Sequence, residues 1–106
     1  MNQISKVSDI TASDIADYIR LDEFTQSDQN TLNTLITVAK AYMKEYTGRT
    51  DAELDNYQDF VIVLMILCQD MWDNRVLYVD KSNINHVVES ILGLHSVNLL
   101  PREETP

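Results

Sequence analysis

Glycine and proline are scarce in this chain, and their scarcity restricts the folds open to it. The sequence has 2 glycines and 2 prolines in 106 residues, and one of the prolines, Pro106, is the last residue. An all-β fold needs a turn every few residues, and turns depend heavily on these two residue types. The sequence therefore predicts an all-α fold, in a chain long enough for one domain, residues 1–106.

Hydrophobic periodicity and capping residues predict two helices in the first half of the chain. The first follows Thr11, with Asp14 as its capping-box partner. The second follows Ser27 as N-cap and ends at Gly48, which takes the left-handed position past the helix end. The second helix has apolar or aromatic residues every three or four positions: Leu32, Leu35, Ile36, Ala39, Tyr42, Met43 and Tyr46.

Two further helices are predicted in the second half. The third, from about Tyr57 to Asn74, is apolar over more than half its circumference, so it lies centrally in the core or is shared with a partner. The fourth is short, capped by Asn85 and stopped by Gly93, and residues 50–53 form a capping-box string that starts a short turn. We expect a small bundle of two long antiparallel helices plus two short helices, with a helical core over about residues 8–93.

Two apolar segments lie outside these helices, and we take both as candidate docking segments. Residues 76–83 form a loop or arm between the last two helices, with some β character, and residues 94–106 form an extended C-terminal tail. Exposed apolar segments of soluble proteins usually mark partner contacts, and 76–82 and 97–101 are apolar without helical periodicity. The candidate interface residues are Arg49, Trp72, Arg75, Val76, Leu77, Tyr78, Val79, Val97, Leu99 and Leu100.

The charge balance limits the partners that this chain can have. With 17 acidic and 8 basic residues, the net charge is −9, so phosphate is repelled, and we expect neither sequence-specific nucleic-acid binding nor binding to anionic membranes. The longest apolar run, 61–68, is far shorter than the roughly 20 residues that span a bilayer. A single cysteine, Cys68, allows no disulfide within the chain, which suits the cytoplasm.

Few residues suggest catalysis or metal binding. His86 and Glu89 have the spacing of two ligands on one helix, but a metal needs more ligands than these, and a solvated polar face is the better interpretation. Asp70 and Asp73 are interpreted in the same way, and Cys68 as a small buried hydrophobe. Because the sequence has no phosphate-binding glycine loop and no nucleophile motif, we expect no enzyme and no cofactor.

The order of the segments carries a family resemblance over residues 7–93. Residues 18–22, 27–28 and 35–42, the Tyr-Thr-Gly-Arg helix ending at 46–49, and the Met-Trp-Asp-Asn-Arg ending at 71–75 together resemble phage head–tail connector (adaptor) proteins. Residues 84–92 are similar to the short last helix of that family. The segment 83–85 departs from the pattern, since members often have a proline-containing turn there.

The resemblance implies a structural protein of the virion, made in the cytoplasm of the bacterial host. Its copies would form a closed ring that docks on the portal protein, extends the DNA channel and binds a downstream tail-completion protein. Ring formation needs a heterologous interface, in which two different faces of neighbouring copies meet. Arg49 either satisfies the last carbonyls of the second helix or pairs with an acid of the neighbouring copy, and Arg75 has the same two interpretations.

Two other functions compete with the connector interpretation. One is an acidic regulatory module, such as an inhibitor that mimics the phosphates of DNA, whose acids should cluster on one face. The other is a small metal-dependent or hydrolytic enzyme that uses His86 and Glu89.

Overall fold

The computed structural model describes residues 6–96 of the chain. The described residues form five α-helices: α1 (Ala12–Tyr18), α2 (Gln26–Thr47), α3 (Asp51–Leu54), α4 (Asp59–Asn74) and α5 (His86–Leu94). Two 3₁₀-helices, Val7–Asp9 and Lys81–Asn83, complete the order. No strand occurs within residues 6–96, so the predicted all-α class is confirmed.

The long helices α2 and α4 pack against each other in antiparallel directions. Ser27 and Leu35 from the first half of α2 line the same groove as Met71 and Arg75 from the end of α4. At about 1.5 Å per residue, the 22 residues of α2 give a rod of roughly 33 Å. The predicted pair of long antiparallel helices is therefore present.

The N-terminus of α2 differs from the prediction. The N-cap is Thr25 and not Ser27: the Thr25 hydroxyl accepts from the Asp28 amide at 3.1 Å, and the Asp28 carboxylate accepts from the Thr25 amide at 3.1 Å. This reciprocal pair satisfies two backbone donors together, which a cap without such a partner cannot do. The same arrangement at the start of α1, between Thr11 and Asp14, confirms the predicted cap there.

The core is arranged around α4, which packs against α1, α2, α5 and the first 3₁₀-helix. Eight of its side chains are buried: Phe60, Val61, Val63, Leu64, Met65, Leu67, Cys68 and Met71. Of the two interpretations of this helix, the structure favours the central position in the core. The chain covers most of its apolar surface, and Ile62, 52% exposed, is the main exception.

The helix C-termini follow the sequence rules in one case and depart from them in another. Gly48 ends α2 in the left-handed conformation, with φ 73°, as predicted. Arg75 ends α4 in the same conformation, with φ 59°, although it is not a glycine. The predicted stop at Gly93 was wrong, because α5 continues to Leu94 and is capped by His95, whose contacts hold the helix end.

The segment between α4 and α5 has no regular β structure. Its first part, residues 76–80, is irregular, and the 3₁₀-helix Lys81–Asn83 follows. Among the helices within residues 6–96, none has both the length and the apolar character needed to cross a membrane.

Candidate functional site

The most exposed large apolar side chains outside the helices lie on the segment Val76–Val79, which we call the arm. Its first and last residues, Val76 and Val79, are partly buried and pack against the hydrophobic core. The two residues between them project outward, with Leu77 59% and Tyr78 61% exposed. The arm is thus anchored at both ends while it presents two adjacent apolar side chains to the surroundings.

A small cavity of about 130 Å³ separates the arm from α4. Its lining includes Leu67 and Met71 of α4, Tyr78 of the arm, and the carboxylates of Asp70 and Asp80. Ligand pockets for small molecules usually have volumes of roughly 300–1,000 Å³, so this space suits a few water molecules. The cavity gives no support to a substrate site under the arm.

Two acidic residues, Asp70 and Asp80, line this cavity. The pKa of Asp70 is raised, first by burial and second by the neighbouring carboxylate of Asp73. Asp80 caps the second 3₁₀-helix by accepting from the Ser82 amide at 3.1 Å and from the Asn83 side-chain amide at 3.0 Å. Asp80 thus has a role in the local fold, whereas Asp70 is partly buried and Asp73 is exposed.

Several predicted interface residues come together at the end of α4. The Arg75 guanidinium carbon lies 5.2 Å from the centre of the Trp72 ring, in a cation–π contact. Both residues line an open groove of about 300 Å³ together with Val76, Leu77 and the start of α2. The predicted interface residues Trp72 and Arg75 therefore form one continuous surface with Val76 and Leu77 of the arm.

Arg49 lies elsewhere, at the opposite end of α4. Its Nε donates to the carbonyl oxygen of His95 at 2.6 Å, and its Nη1 lies 3.9 Å from Glu53 Oε2. Its guanidinium carbon is also 4.9 Å from the centre of the Tyr57 ring. Arg49 therefore binds the end of α5, whereas the first of its two predicted roles was to satisfy the last carbonyls of α2. Since its side chain is only 19% exposed, little of it remains available to a neighbouring molecule.

His95 forms the centre of this second cluster. Its Nε2 lies 2.9 Å from Asp59 Oδ2, and its ring centre is 4.2 Å from that of Tyr57 and 5.0 Å from that of Phe60. An Asp–His pair contributes to catalysis when it activates a nucleophile, but here both members hold the end of α5 against the start of α4. The sequence interpretation missed this pair because 36 residues separate the partners.

The remaining candidate residues show no arrangement for chemistry. Burial raises the pKa of the Cys68 thiol to about 12, so the thiol stays neutral and is a poor nucleophile. His86 and Glu89 are exposed on α5. Within residues 6–96, no three side chains of His, Cys, Asp or Glu lie close enough together to hold a metal ion. The predicted tail residues Val97, Leu99 and Leu100 lie outside the described residues.

Many of the acidic residues have local structural roles. Asp14, Asp28 and Glu53 each complete a capping box at the start of a helix. Asp55 accepts from the Ser8 amide at 3.0 Å and from the Ser8 hydroxyl at 2.7 Å, which ties the first 3₁₀-helix to the end of α3. An acidic decoy is expected to gather its acids on one face, whereas these acids are divided among separate helix ends.

Comparisons with models of known protein families, with curated proteins and with solved structures found no significant match. The resemblance to connector proteins thus stays a prediction from the sequence. The functional argument rests on the arm and its surroundings.

Proposed function

We propose that this chain is a structural assembly subunit that binds other proteins through its arm. The observation that carries the proposal is the exposure of Leu77 and Tyr78, side by side, on a segment whose two ends are anchored in the core. Exposed apolar side chains that a fold holds in place are typical of protein contact sites. Tyrosine is also among the residues that contribute most strongly to such contacts.

Energetic considerations favour binding through the arm. Burying one large apolar side chain contributes about 1.5–3 kcal/mol. Because Val76 and Val79 already fix the arm, a partner would have to order little of the backbone when it binds. The Trp72–Arg75 pair extends the surface with an aromatic and an arginine side chain, two residue types enriched in protein interfaces.

We further propose that the assembly is the head–tail connector ring of a tailed bacteriophage. In this proposal, copies of the chain form a ring that docks on the portal protein, extends the DNA channel and receives a downstream tail-completion protein. The all-α fold and the segment order over residues 7–93 support it. The net charge of −9 also suits a channel wall that DNA passes without adhering, because like charges repel.

Binding to purified portal protein tests this proposal. The double variant Leu77→Ala, Tyr78→Ala removes both exposed side chains of the arm, and at about 1–2 kcal/mol each we expect roughly 30- to 1,000-fold weaker binding. Tyr18→Ala is the matched control, because Tyr18 is a 38% exposed aromatic residue on α1, outside the arm. Biolayer interferometry against immobilised portal would measure all three proteins.

The result can reject the connector assignment or the docking role of the arm. If the wild-type chain does not bind the portal, the connector assignment is wrong. If the double variant binds as tightly as the wild type, the arm is not the docking segment. Leu99→Ala, Leu100→Ala tests the tail in the same assay, since weakened portal binding with normal folding is expected and unchanged binding would remove the tail from the proposal.

A further inference from the structure

The open groove between the end of α4 and the start of α2 has apolar walls. They include the buried side chains of Leu35 and Met71, the partly buried ring of Trp72 and the exposed side chain of Leu77. The groove volume of about 300 Å³ lies at the lower end of the range of ligand pockets, which is roughly 300–1,000 Å³. A space of this size and character suits one or two apolar side chains of a partner.

The charge that this groove offers to a partner is positive. Asp28 and Arg75 both line it. The Asp28 carboxylate already accepts from the Thr25 amide at 3.1 Å, in the capping box of α2. The Arg75 guanidinium lies over the Trp72 ring and forms no salt bridge within residues 6–96. A partner with apolar side chains and a nearby carboxylate therefore matches the groove, because arginine forms strong charge-assisted hydrogen bonds with carboxylates.

The backbone of Arg75 supports a binding role for its side chain. Arg75 ends α4 in the left-handed conformation, with φ 59°, which a glycine adopts with less strain. A glycine at this position would end the helix but would supply no guanidinium at the edge of the groove. Residues held in unfavourable backbone conformations are concentrated at functional sites.

The sequence that follows Ser96 has the chemistry that the groove requires. Leu99 and Leu100 are two adjacent apolar side chains, and Glu103 and Glu104 follow within five positions of the first leucine. These residues lie outside the described part of the chain. By their chemistry, the leucines suit the apolar walls and the glutamates suit the guanidinium at the edge.

The two leucines of one copy cannot fill the groove of the same copy. The structure describes the chain up to Ser96, whose hydroxyl donates to the Tyr46 carbonyl at 3.3 Å, at the end of α2. Asp28 precedes Tyr46 by 18 positions on α2, so the groove lies about 27 Å away at 1.5 Å per residue. An extended chain advances at most about 3.6 Å per residue, so Leu100, four positions after Ser96, reaches only about 14 Å.

We propose that the groove receives Leu99 and Leu100 of a neighbouring copy of this chain. Glu103 or Glu104 of that copy then pairs with Arg75, which is the second of the two roles predicted for this arginine. The tail and the groove belong to opposite ends of the bundle, so the contact joins unlike faces, and its repetition gives a ring or a filament. The inference rests on the ring in the proposed function and names the segment and the groove that meet in it.

A synthetic peptide with the sequence of residues 97–106 tests the contact. Trp72 is the only tryptophan of the chain, so its fluorescence reports directly on the groove. The peptide is titrated into the full chain at a concentration at which sedimentation velocity shows monomers, so that the groove is empty. We expect a saturable shift of the Trp72 emission to shorter wavelength, because the leucines of the peptide remove water from the ring.

A peptide with Leu99→Ala and Leu100→Ala is the control for the apolar part of the contact. We expect it to bind roughly 30- to 1,000-fold more weakly, the cost of truncating two side chains at the centre of a contact. The full chain with the same two substitutions should keep the Trp72 emission of the dilute wild type, since no copy fills its own groove.

Charge reversal tests the pairing with Arg75. Because one charge-assisted contact is lost, Arg75→Glu should weaken binding of the natural peptide roughly 10- to 100-fold. A peptide with Glu103→Arg and Glu104→Arg should bind the Arg75→Glu chain more tightly than it binds the wild type. Arg20→Glu is the matched control and should bind the natural peptide like the wild type, because Arg20 is also an exposed arginine with positive φ, 62°, but lies outside the groove. Circular dichroism checks the fold of both variants.

Four results would overturn the inference. These are a Trp72 emission that does not respond to millimolar peptide, equal binding of the natural and the alanine peptides, equal weakening by Arg75→Glu and Arg20→Glu, and a changed Trp72 emission of the dilute chain with Leu99→Ala and Leu100→Ala. The last result would show that each copy fills its own groove. Portal binding is measured separately, so peptide binding without portal binding rejects only the connector assignment, and portal binding without peptide binding rejects only this contact.

Discussion

The single buried polar side chain among residues 6–96, that of Thr47, provides a sharp test of how the end of α2 is held. Thr47 has no exposed surface. Its hydroxyl donates to the Met43 carbonyl at 2.7 Å and accepts from the Arg49 amide at 3.3 Å. Thr47→Val keeps the shape of the side chain and removes the oxygen, so the Arg49 amide loses this partner just where the chain turns from α2 toward α3.

The size of the effect follows from these two hydrogen bonds. A buried donor left without a partner costs about 1–3 kcal/mol, and the Arg49 amide is only partly buried, so the lower part of that range applies. The Met43 carbonyl keeps its helical hydrogen bond and adds little to the cost. We expect Thr47→Val to lower the free energy of unfolding by about 1–2 kcal/mol, or the melting temperature by about 4–16 °C.

Urea unfolding followed by circular dichroism measures this difference. Thr37→Val is the matched control, because Thr37 lies on the same helix and its hydroxyl donates to the Asn33 carbonyl at 3.1 Å, but it is exposed. We expect the control to change the free energy of unfolding by less than about 0.5 kcal/mol. Equal effects of the two substitutions would refute the reasoning that the buried hydroxyl holds this turn.

Two further predictions concern the pH dependence of stability. Hydrogen bonding from the Ser8 hydroxyl is the main cause that lowers the pKa of Asp55, so this contribution is present above the ordinary carboxyl pKa and is lost as the pH falls through the folded-state value. Ser8→Ala should therefore lose less stability than the wild type between about pH 6 and about pH 3 in urea unfolding, and an equal loss would contradict this. Burial, and to a lesser extent the neighbouring carboxylate of Asp73, raises the pKa of Asp70. The ionisation of Asp70 therefore costs stability as the pH rises above the ordinary carboxyl range. Asp70→Asn should raise the midpoint of urea unfolding at neutral pH but not at about pH 3, and a lower midpoint at both would show that the carboxylate has another role.

Local sequence rules predicted most helix boundaries, and the error at the start of α2 is instructive. Thr11 and Gly48 were identified correctly because a cap depends on residues within one turn of it. At the start of α2, Thr25 and Ser27 are both good N-cap residues, and the prediction chose the wrong one. The capping-box partner distinguishes them, since Thr25 is followed three positions later by Asp28.

Contacts between distant segments were not predictable in this way. Arg49 binds His95 across 46 positions, and His95 contacts Asp59 across 36, so no local pattern reveals either contact. The apolar surplus expected on the third helix proved small, because α1, α2 and α5 cover most of α4. The exposed apolar side chains lie instead on the arm, at Leu77 and Tyr78, and on α5, at Val87 and Leu94. Which side of α5 is exposed depends on how that helix packs in the fold, and local sequence rules do not reveal it.

Electron microscopy of the purified chain mixed with the portal protein tests the proposed function most directly. The account predicts a closed ring of added density, coaxial with the portal, and the loss of that ring with the Leu77→Ala, Tyr78→Ala variant. Portal particles that remain unchanged at a saturating concentration of the wild-type chain would contradict it.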